Sequence, residues 1–132
     1  MKRTVLVIED NEQNLYLVTF ILENNGYEVV QARDGRKGIE RAGQVIPALI
    51  LLDIQLPGMD GYDVAQALRS NPALADVPIV AVTSYAMVGD RERALGAGCT
   101  GYIEKPINPD TFMTDVERYL SGGTSEEGVT LR

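Results

Sequence analysis

The sequence predicts an α/β fold in which helices cover both faces of a parallel sheet. Short β-branched apolar runs alternate with longer amphipathic segments five times along the chain, and successive βα units are typical of a parallel sheet. The first, third and fourth apolar runs have no polar interior position, as strands covered on both faces require. A length of 132 residues is that of one domain.

Each element follows from a local pattern. Apolar runs predict strands at 4–8, 27–32, 48–52, 78–82 and 101–103. Helical periodicity and stop signals predict helices at 11–24, 35–43, 62–70, 88–97 and 109–120. Two triplets have the spacing of buried helix faces, namely Leu15, Val18 and Leu22, and Phe112, Val116 and Tyr119. Residues 1–120 form the predicted domain, and the Gly-, Ser- and acid-rich residues 121–132 are expected to be a disordered tail.

Composition excludes several classes of function. The net charge is −7 and no basic run exceeds two adjacent residues, which argues against nucleic-acid binding. The chain lacks a bilayer-length apolar run and a secretory signal, so we expect no membrane partner and a cytoplasmic location. The single cysteine, Cys99, excludes an internal disulfide and is interpreted as a small buried apolar residue. The absence of histidine excludes His-dependent catalysis and a phosphohistidine carrier role.

Polar residues follow four of the five predicted strands. Glu9 and Asp10 follow the first strand, Asp53 the third, Thr83 the fourth and Lys105 the fifth. The carboxyl ends of parallel strands lie at one edge of a sheet, where ligands bind at a topological switch point. The residues that end the second strand offer no comparable ligand-binding groups, so this strand is expected to lie outside the crevice. This favours the strand order 2-1-3-4-5.

Three converging carboxylates would repel one another unless a cation were present. An all-oxygen donor set without histidine or cysteine indicates Mg²⁺, with Mn²⁺ as an alternative. Lys105 adds a point charge and Thr83 a hydroxyl. These groups suit a tetrahedral phosphoryl group beside an oxygen nucleophile, so Asp53 is interpreted as the group that accepts it.

Each of these residues also has an ordinary structural explanation. Asp10 could cap the first helix, Asp60 and Gly61 suit a turn and cap, and Thr83 is a β-former at a strand end. Lys105 before Pro106 is a common loop start. The functional interpretation rests on their joint occurrence at successive strand ends.

Four motifs make the chain similar to response-regulator receiver domains, the phosphoacceptor modules of two-component signalling. These are VLVIEDN, LILLDIQLPGMDG, IVAVTS and YIEKPI, and the resemblance covers residues 3–120. It implies a flavodoxin-like three-layer α/β/α sandwich with a doubly wound, five-stranded sheet of order 2-1-3-4-5. It also implies that Asp53 is phosphorylated, with Mg²⁺ bound directly by Asp10, Asp53 and the backbone carbonyl of Gln55, and by Glu9 through water.

The resemblance assigns further roles around the phosphoryl group. Lys105 would pair with phosphoryl oxygens, and its bond to Pro106 is expected to be cis. Thr83 and Tyr102 would form a switch pair, although Tyr102 alone could be an ordinary aromatic residue at the sheet edge. Gln55 and Tyr85 would tune dephosphorylation.

The implied function is that of a stand-alone receiver. It would take a phosphoryl group from a histidine kinase or histidine phosphotransfer protein, and it would promote only its own phosphorylation and dephosphorylation. An effector protein would bind the face made by the fourth helix, fifth strand and fifth helix, and homodimerisation through that face stays open. The motif TSYAM also resembles receivers of hybrid kinases.

Two other functions stay open from the residues. One is a degenerate receiver that binds partners without phosphorylation. The other is a magnesium-dependent phosphatase of the haloacid-dehalogenase type, whose second acid would fall at Gln55 and is therefore missing.

Overall fold

The computed structural model describes residues 2–84 and 88–122. Within these residues, helices and strands alternate along the chain. The strands are β1 (Thr4–Ile8), β2 (Glu28–Ala32), β3 (Leu49–Asp53), β4 (Ile79–Thr83) and β5 (Gly101–Glu104). The helices are α1 (Glu12–Asn24), α2 (Gly35–Val45), α3 (Gly61–Arg69), α4 (Val88–Gly96) and α5 (Pro109–Leu120), with a 3₁₀ turn at Pro72–Leu74.

The strands form one parallel sheet in the order β2-β1-β3-β4-β5, which confirms the predicted fold class. Val5 of β1 pairs with Val29 of β2 on one side and with Leu49 of β3 on the other. β2 lies on one side of β1, and the later strands β3, β4 and β5 are added on its other side. This change of side is a topological switch point, at which a crevice opens between the carboxyl ends of β1 and β3.

Alternate residues of each strand face two separate apolar layers. Leu6, Ile50 and Ile79 pack with residues of α2, α3 and α4 on one face. Val5 and Leu51 pack on the other face with α1 and α5. The two predicted buried triplets, Leu15, Val18 and Leu22, and Phe112, Val116 and Tyr119, are confirmed in this second layer. The three layers hold the sheet rigid, so the strand ends are fixed relative to one another.

Side-chain caps begin most of the helices. Asn11, Asp34, Asp60 and Asn108 accept backbone N–H bonds in the first turns of α1, α2, α3 and α5, which satisfies donors that a helix leaves unpaired. The predicted boundaries agree within one or two residues. The 3₁₀ turn was not predicted; Asn71 caps it by accepting from the Ala73 N–H at 3.0 Å.

Cys99 is buried, as predicted, and burial raises the pKa of its thiol to about 12, so it packs as an apolar residue. No helix in residues 2–84 or 88–122 has the length and apolar character to cross a bilayer. The predicted disordered tail lies, from residue 123 onward, outside the described residues.

Candidate functional site

The sheet brings the predicted site residues to its carboxyl edge. Asp53 is the last residue of β3 and Thr83 the last residue of β4. Glu9 and Asp10 directly follow β1, and Lys105 directly follows β5. Register places these ends side by side, because Asp53 pairs with Val82 and Thr83 pairs with Glu104.

Three carboxylates meet in the crevice between β1 and β3. One oxygen each from Glu9, Asp10 and Asp53 lies within 4.8 Å of the others. Glu9 and Asp53 are buried, with 4% and 2% of their surfaces exposed, and Asp10 is partly exposed. Burial removes most of the water that would screen their repulsion, so this edge carries a high density of negative charge.

Lys105 partly balances that charge. Its Nζ atom lies 3.2 Å from Asp53 Oδ1 and 3.6 Å from Glu9 Oε1. The Lys105 side chain is 13% exposed, and the Lys105–Pro106 peptide bond is cis. One ammonium group thus faces two buried carboxylates, which leaves negative charge in excess.

Backbone hydrogen bonds fix the positions of these side chains. The Asn11 N–H donates to Glu9 Oε2 at 3.0 Å, and the Gln55 N–H donates to Asp53 Oδ1 at 2.9 Å. The Lys105 N–H donates to the Thr83 carbonyl at 2.8 Å. The carboxylates of Glu9 and Asp53 are therefore held by the segments that directly follow β1 and β3, and the Lys105 bond joins the backbones at the ends of β4 and β5.

Close packing fixes the loop after Asp53. A Cβ atom added at Gly61 would lie 2.5 Å from Cα and 2.7 Å from the carbonyl oxygen of Ile54. Only glycine permits this approach of α3 to the residue next to Asp53. The Asp60 and Gly61 pair has the cap and turn role predicted from sequence, since Asp60 Oδ1 accepts the Tyr62 N–H at 2.8 Å.

The crowding of carboxylates changes the protonation of Glu9. Burial raises its pKa from 4.5 to about 7, and a hydrogen bond and negative charge from Asp53 act in the same direction. The Asn11 N–H and the Lys105 charge oppose this rise in pKa without cancelling it. In the metal-free protein the Glu9 carboxyl group is therefore partly protonated near neutral pH.

The donor set fits a hard divalent cation. Glu9, Asp10 and Asp53 offer only oxygen ligands, and Mg²⁺ binds through carboxylates while keeping several waters. Burial is the largest cause of the raised pKa of Glu9, and the Lys105 charge opposes the rise without cancelling it. A divalent cation beside Glu9 would lower this pKa, because nearby positive charge favours the ionised carboxylate.

The two residues predicted as a switch lie on neighbouring strands. Thr83 is buried at the end of β4, and Tyr102 on β5 pairs with Ala81. Tyr102 is half-buried, packs against the layer beneath α2, α3 and α4, and has the Arg91 guanidinium carbon 6.0 Å above its ring. Their role as a switch stays a prediction.

Gln55 bridges two loops at the rim of the site. Its Oε1 atom accepts the Ser84 N–H at 3.1 Å, so the loops after β3 and β4 are joined beside Asp53. Sequence reasoning gave Gln55 a tuning role but did not find this bridge, because it depends on a backbone group 29 residues away. Tyr85, the other predicted tuning residue, lies outside the described residues.

Comparison with known proteins agrees with this geometry. Residues 5–117 match the response regulator receiver domain. The chain is 40% identical over 120 residues to the polar-differentiation response regulator DivK of Brucella anthropi, covering 91% of this chain and 98% of that protein.

Solved structures give the same result. A chemotaxis protein CheY4 from Vibrio cholerae superposes with a TM-score of 0.86 at 28% identity, covering 89% of this chain and 98% of that one. The receiver domain of a sensor histidine kinase from Pseudomonas aeruginosa superposes with a TM-score of 0.85 at 31% identity, covering 92% of this chain and all (100%) of that one. The latter structure has a magnesium ion coordinated in its active-site cleft.

Receiver domains are signalling modules of two-component systems rather than classical enzymes, and phosphorylation and an acidic Mg²⁺ site are typical of them. They interact with histidine kinases or phosphotransfer proteins and with effectors. The chain matches the family over residues 5–117 and is 40% identical to a response regulator over nearly its whole length. It therefore belongs to the response regulator receiver domain family.

Proposed function

We propose that Asp53 accepts a phosphoryl group from a phosphohistidine on a partner protein and that this modification changes the contacts of the domain with an effector. The observation that carries the proposal is the position of Asp53. Its buried carboxylate ends β3, with Lys105 Nζ 3.2 Å from Oδ1 and two further carboxylates within 4.8 Å.

The transfer step is a displacement at phosphorus. A carboxylate oxygen of Asp53 forms a bond to phosphorus while the phosphorus–nitrogen bond of the donor breaks. The imidazole leaves with the electron pair of that bond and takes a proton from solvent. Hydrolysis later breaks the new acyl phosphate bond, as water adds its oxygen to phosphorus and the Asp53 carboxylate is restored.

The neighbouring residues position the reacting groups. Lys105 lies close enough to Asp53 Oδ1 to contact an oxygen of a phosphoryl group attached there, and its charge offsets the negative charge that the group brings. Asp10, Asp53, the Gln55 carbonyl and, through water, Glu9 would hold Mg²⁺. When bound, that ion supplies positive charge to the phosphoryl oxygens.

Thr83 and Tyr102 connect the site to a contact surface. Thr83 ends the strand beside Asp53, and its hydroxyl would bond a phosphoryl oxygen. Tyr102, half-buried beneath Arg91 of α4, would turn inward in response. Phosphorylation would bias an equilibrium between two arrangements of α4, β5 and α5, the face proposed to bind the effector.

Gln55 and Tyr85 are the residues we assign to the lifetime of the acyl phosphate. The Gln55 side chain lies at the rim of the site, where its bond to Ser84 holds it beside Asp53. In this position it would control the path of the attacking water.

Intact-protein mass spectrometry with phosphoramidate tests the proposal. This small donor has the phosphorus–nitrogen bond of phosphohistidine without a partner protein. We expect one phosphoryl adduct that requires Mg²⁺ and is lost in Asp53→Asn. Asp60→Asn is the matched control, since Asp60 is an exposed carboxylate in the same loop, and it should retain the adduct.

Three outcomes separate the alternatives. An adduct that persists in Asp53→Asn would contradict the assigned acceptor. No adduct and no Mg²⁺ binding would favour a receiver that acts without phosphorylation. Steady release of phosphate from small phosphate esters would favour a phosphatase.

A further inference from the structure

A basic surface lies at the opposite sheet edge from the proposed effector face. Four of the twelve basic residues of this acidic chain fall within nine positions at the end of β2 and the start of α2: Arg33, Arg36, Lys37 and Arg41. All four are exposed, and within residues 2–84 and 88–122 none of their side chains forms an ion pair. We call these four residues the α2 basic surface.

The placement of these charges is unfavourable for α2 itself. Arg36 and Lys37 lie in the first turn, where the helix dipole favours acidic residues. Lys37 and Arg41 are four positions apart, a spacing at which like charges repel, and Glu40, four positions from Arg36, is the one acid within α2 that offsets these charges. Such local conflicts are expected where a surface serves a function.

A groove adjoins the α2 basic surface. It has a volume of ≈ 610 Å³ and lies between the start of α2 and the loop from β3 to α3. Its walls include the Arg36 and Lys37 cations, the apolar side chains of Pro57 and Met59, and Asp34. The Asp34 carboxylate caps α2 and accepts the Lys37 N–H at 2.8 Å, so the two cations outnumber the one acid. Gly35 allows the start of α2 to lie close to Met59, since a Cβ atom at Gly35 would be 3.2 Å from Met59 Sδ.

We propose that the α2 basic surface and this groove bind an acidic segment of a partner protein that carries at least one apolar side chain. Charge complementarity selects the acidic residues, and the Pro57 and Met59 wall provides the apolar contact. A nucleic acid fits less well, because the whole chain carries a charge of −7 and the groove is partly apolar. This surface is separate from the α4, β5 and α5 face, so two partners could bind together.

The test uses a panel of blocked twelve-residue peptides rich in Asp and Glu, each with one or two Leu or Met residues. A second panel replaces every acid by its amide. We expect acidic members to bind with dissociation constants on the order of 10⁻⁴ M and the amide panel to bind at least tenfold more weakly. Amide resonances of Gly35, Lys37, Gly58 and Met59 should shift on titration.

Matched variants locate the binding. Arg36→Glu with Lys37→Glu should weaken acidic peptides at least tenfold, and its melting temperature should not fall because acids suit the start of a helix. Lys2→Glu with Arg3→Glu makes the same change in net charge at the other end of the sheet and should leave affinity within twofold. Met59→Ala should weaken binding severalfold without changing its salt dependence.

Several results would overturn the proposal. These are equal binding of the acidic and amide panels, equal loss of affinity in both charge-reversed variants, or resonance shifts confined to other surfaces. Tighter binding of a single-stranded thymidine oligonucleotide than of any peptide would assign the surface to nucleic acid instead. All arms are run on Asp53→Asn, so failure of phosphorylation cannot be mistaken for failure of peptide binding.

Discussion

The two ends of the parallel sheet hold two partly buried cations in very different surroundings. At the carboxyl end, Lys105 Nζ faces the carboxylates of Asp53 and Glu9. At the amino end, the Arg69 guanidinium donates five hydrogen bonds of 2.8–3.1 Å to backbone carbonyls only. These carbonyls belong to Gly98, Leu74, Ala75 and Val77.

The difference explains why we place the proposed reaction at the carboxyl end. The planar fork of Arg69 joins the end of α3, the 3₁₀ turn and the loop before β5, and every bond replaces one that water would make. Lys105 faces more charge than it neutralises. The amino end is therefore a structural joint, by which we mean that the Arg69 side chain holds three chain segments together. The carboxyl end is a site that gains stability when further positive charge enters.

The largest effect should follow loss of the joint. Arg69→Met removes five donors and leaves several half-buried carbonyls without a partner, so the free energy of unfolding should fall by about 3 kcal/mol or more. Arg69→Lys should lose less, because an ammonium group keeps three donors. Urea unfolding measures both, with the exposed Arg33→Met as a control expected to change stability by less than about 0.5 kcal/mol. A loss below about 1 kcal/mol in Arg69→Met would show that the joint is not structural.

The next effect concerns pH at the carboxyl end. Glu9 has a pKa of about 7 in the folded protein against 4.5 as its ordinary value, so the folded state holds a proton that the unfolded state releases. Without metal, this group's contribution to stability should be complete below pH 4.5 and lost as pH rises through about 7. We expect a loss on the order of 1–3 kcal/mol, measured as the difference between wild type and Glu9→Gln across that range.

Saturating Mg²⁺ should cancel that loss, since the ion favours ionised Glu9. The increase in the free energy of unfolding on addition of Mg²⁺ should therefore be larger at pH 8 than at pH 5.5. Equal gains at both pH values, or a pH dependence unchanged in Glu9→Gln, would contradict this account of Glu9.

A smaller effect should follow from Asp53→Asn, which removes one of the crowded carboxylates. Asp53 raises the pKa of Glu9 through a hydrogen bond and through its charge, so that pKa should fall in the variant. The metal-free variant should be more stable than wild type by about 1 kcal/mol at pH 8. Thermal unfolding with and without Mg²⁺ measures this; a variant less stable than wild type at pH 8 would show that the Lys105 pairing outweighs the repulsion.

The smallest effect should come from Ile46 at the end of α2, on the amino side of β3. This residue has φ = 45° and is 44% exposed, and the left-handed conformation is unfavourable for a β-branched side chain. Ile46→Asn should raise the free energy of unfolding by about 0.5–1 kcal/mol. Ile46→Val, still β-branched, is the control and should not stabilise.

The sequence predicted the residues that meet at the carboxyl end of the sheet far better than those that meet at the amino end. Asp53, Thr83 and Lys105 could be predicted because each ends a strand or directly follows one, and parallel strands bring their carboxyl ends together whatever the details of the loops. The apolar periodicity of α1 and α5 likewise predicted their buried residues.

The role of Arg69 could not be predicted. Its partners are backbone carbonyls on two segments up to 29 residues away, and carbonyls carry no sequence signal. The same limit applies to the Gln55 bridge to Ser84. The left-handed Ile46 was missed because turn chemistry favours glycine or asparagine at such a position.

The measurement that tests the central claim most directly compares both ends in one sample. Nitrogen-15 NMR spectra are recorded before and after addition of Mg²⁺ and beryllofluoride, a stable mimic of a phosphoryl group. We expect large shifts for the Thr83, Tyr102 and Lys105 amides, and an unchanged Nε–H resonance for Arg69. Unchanged resonances at the carboxyl end, or equal shifts at both ends, would contradict the claim that one end is a reactive site and the other a structural joint.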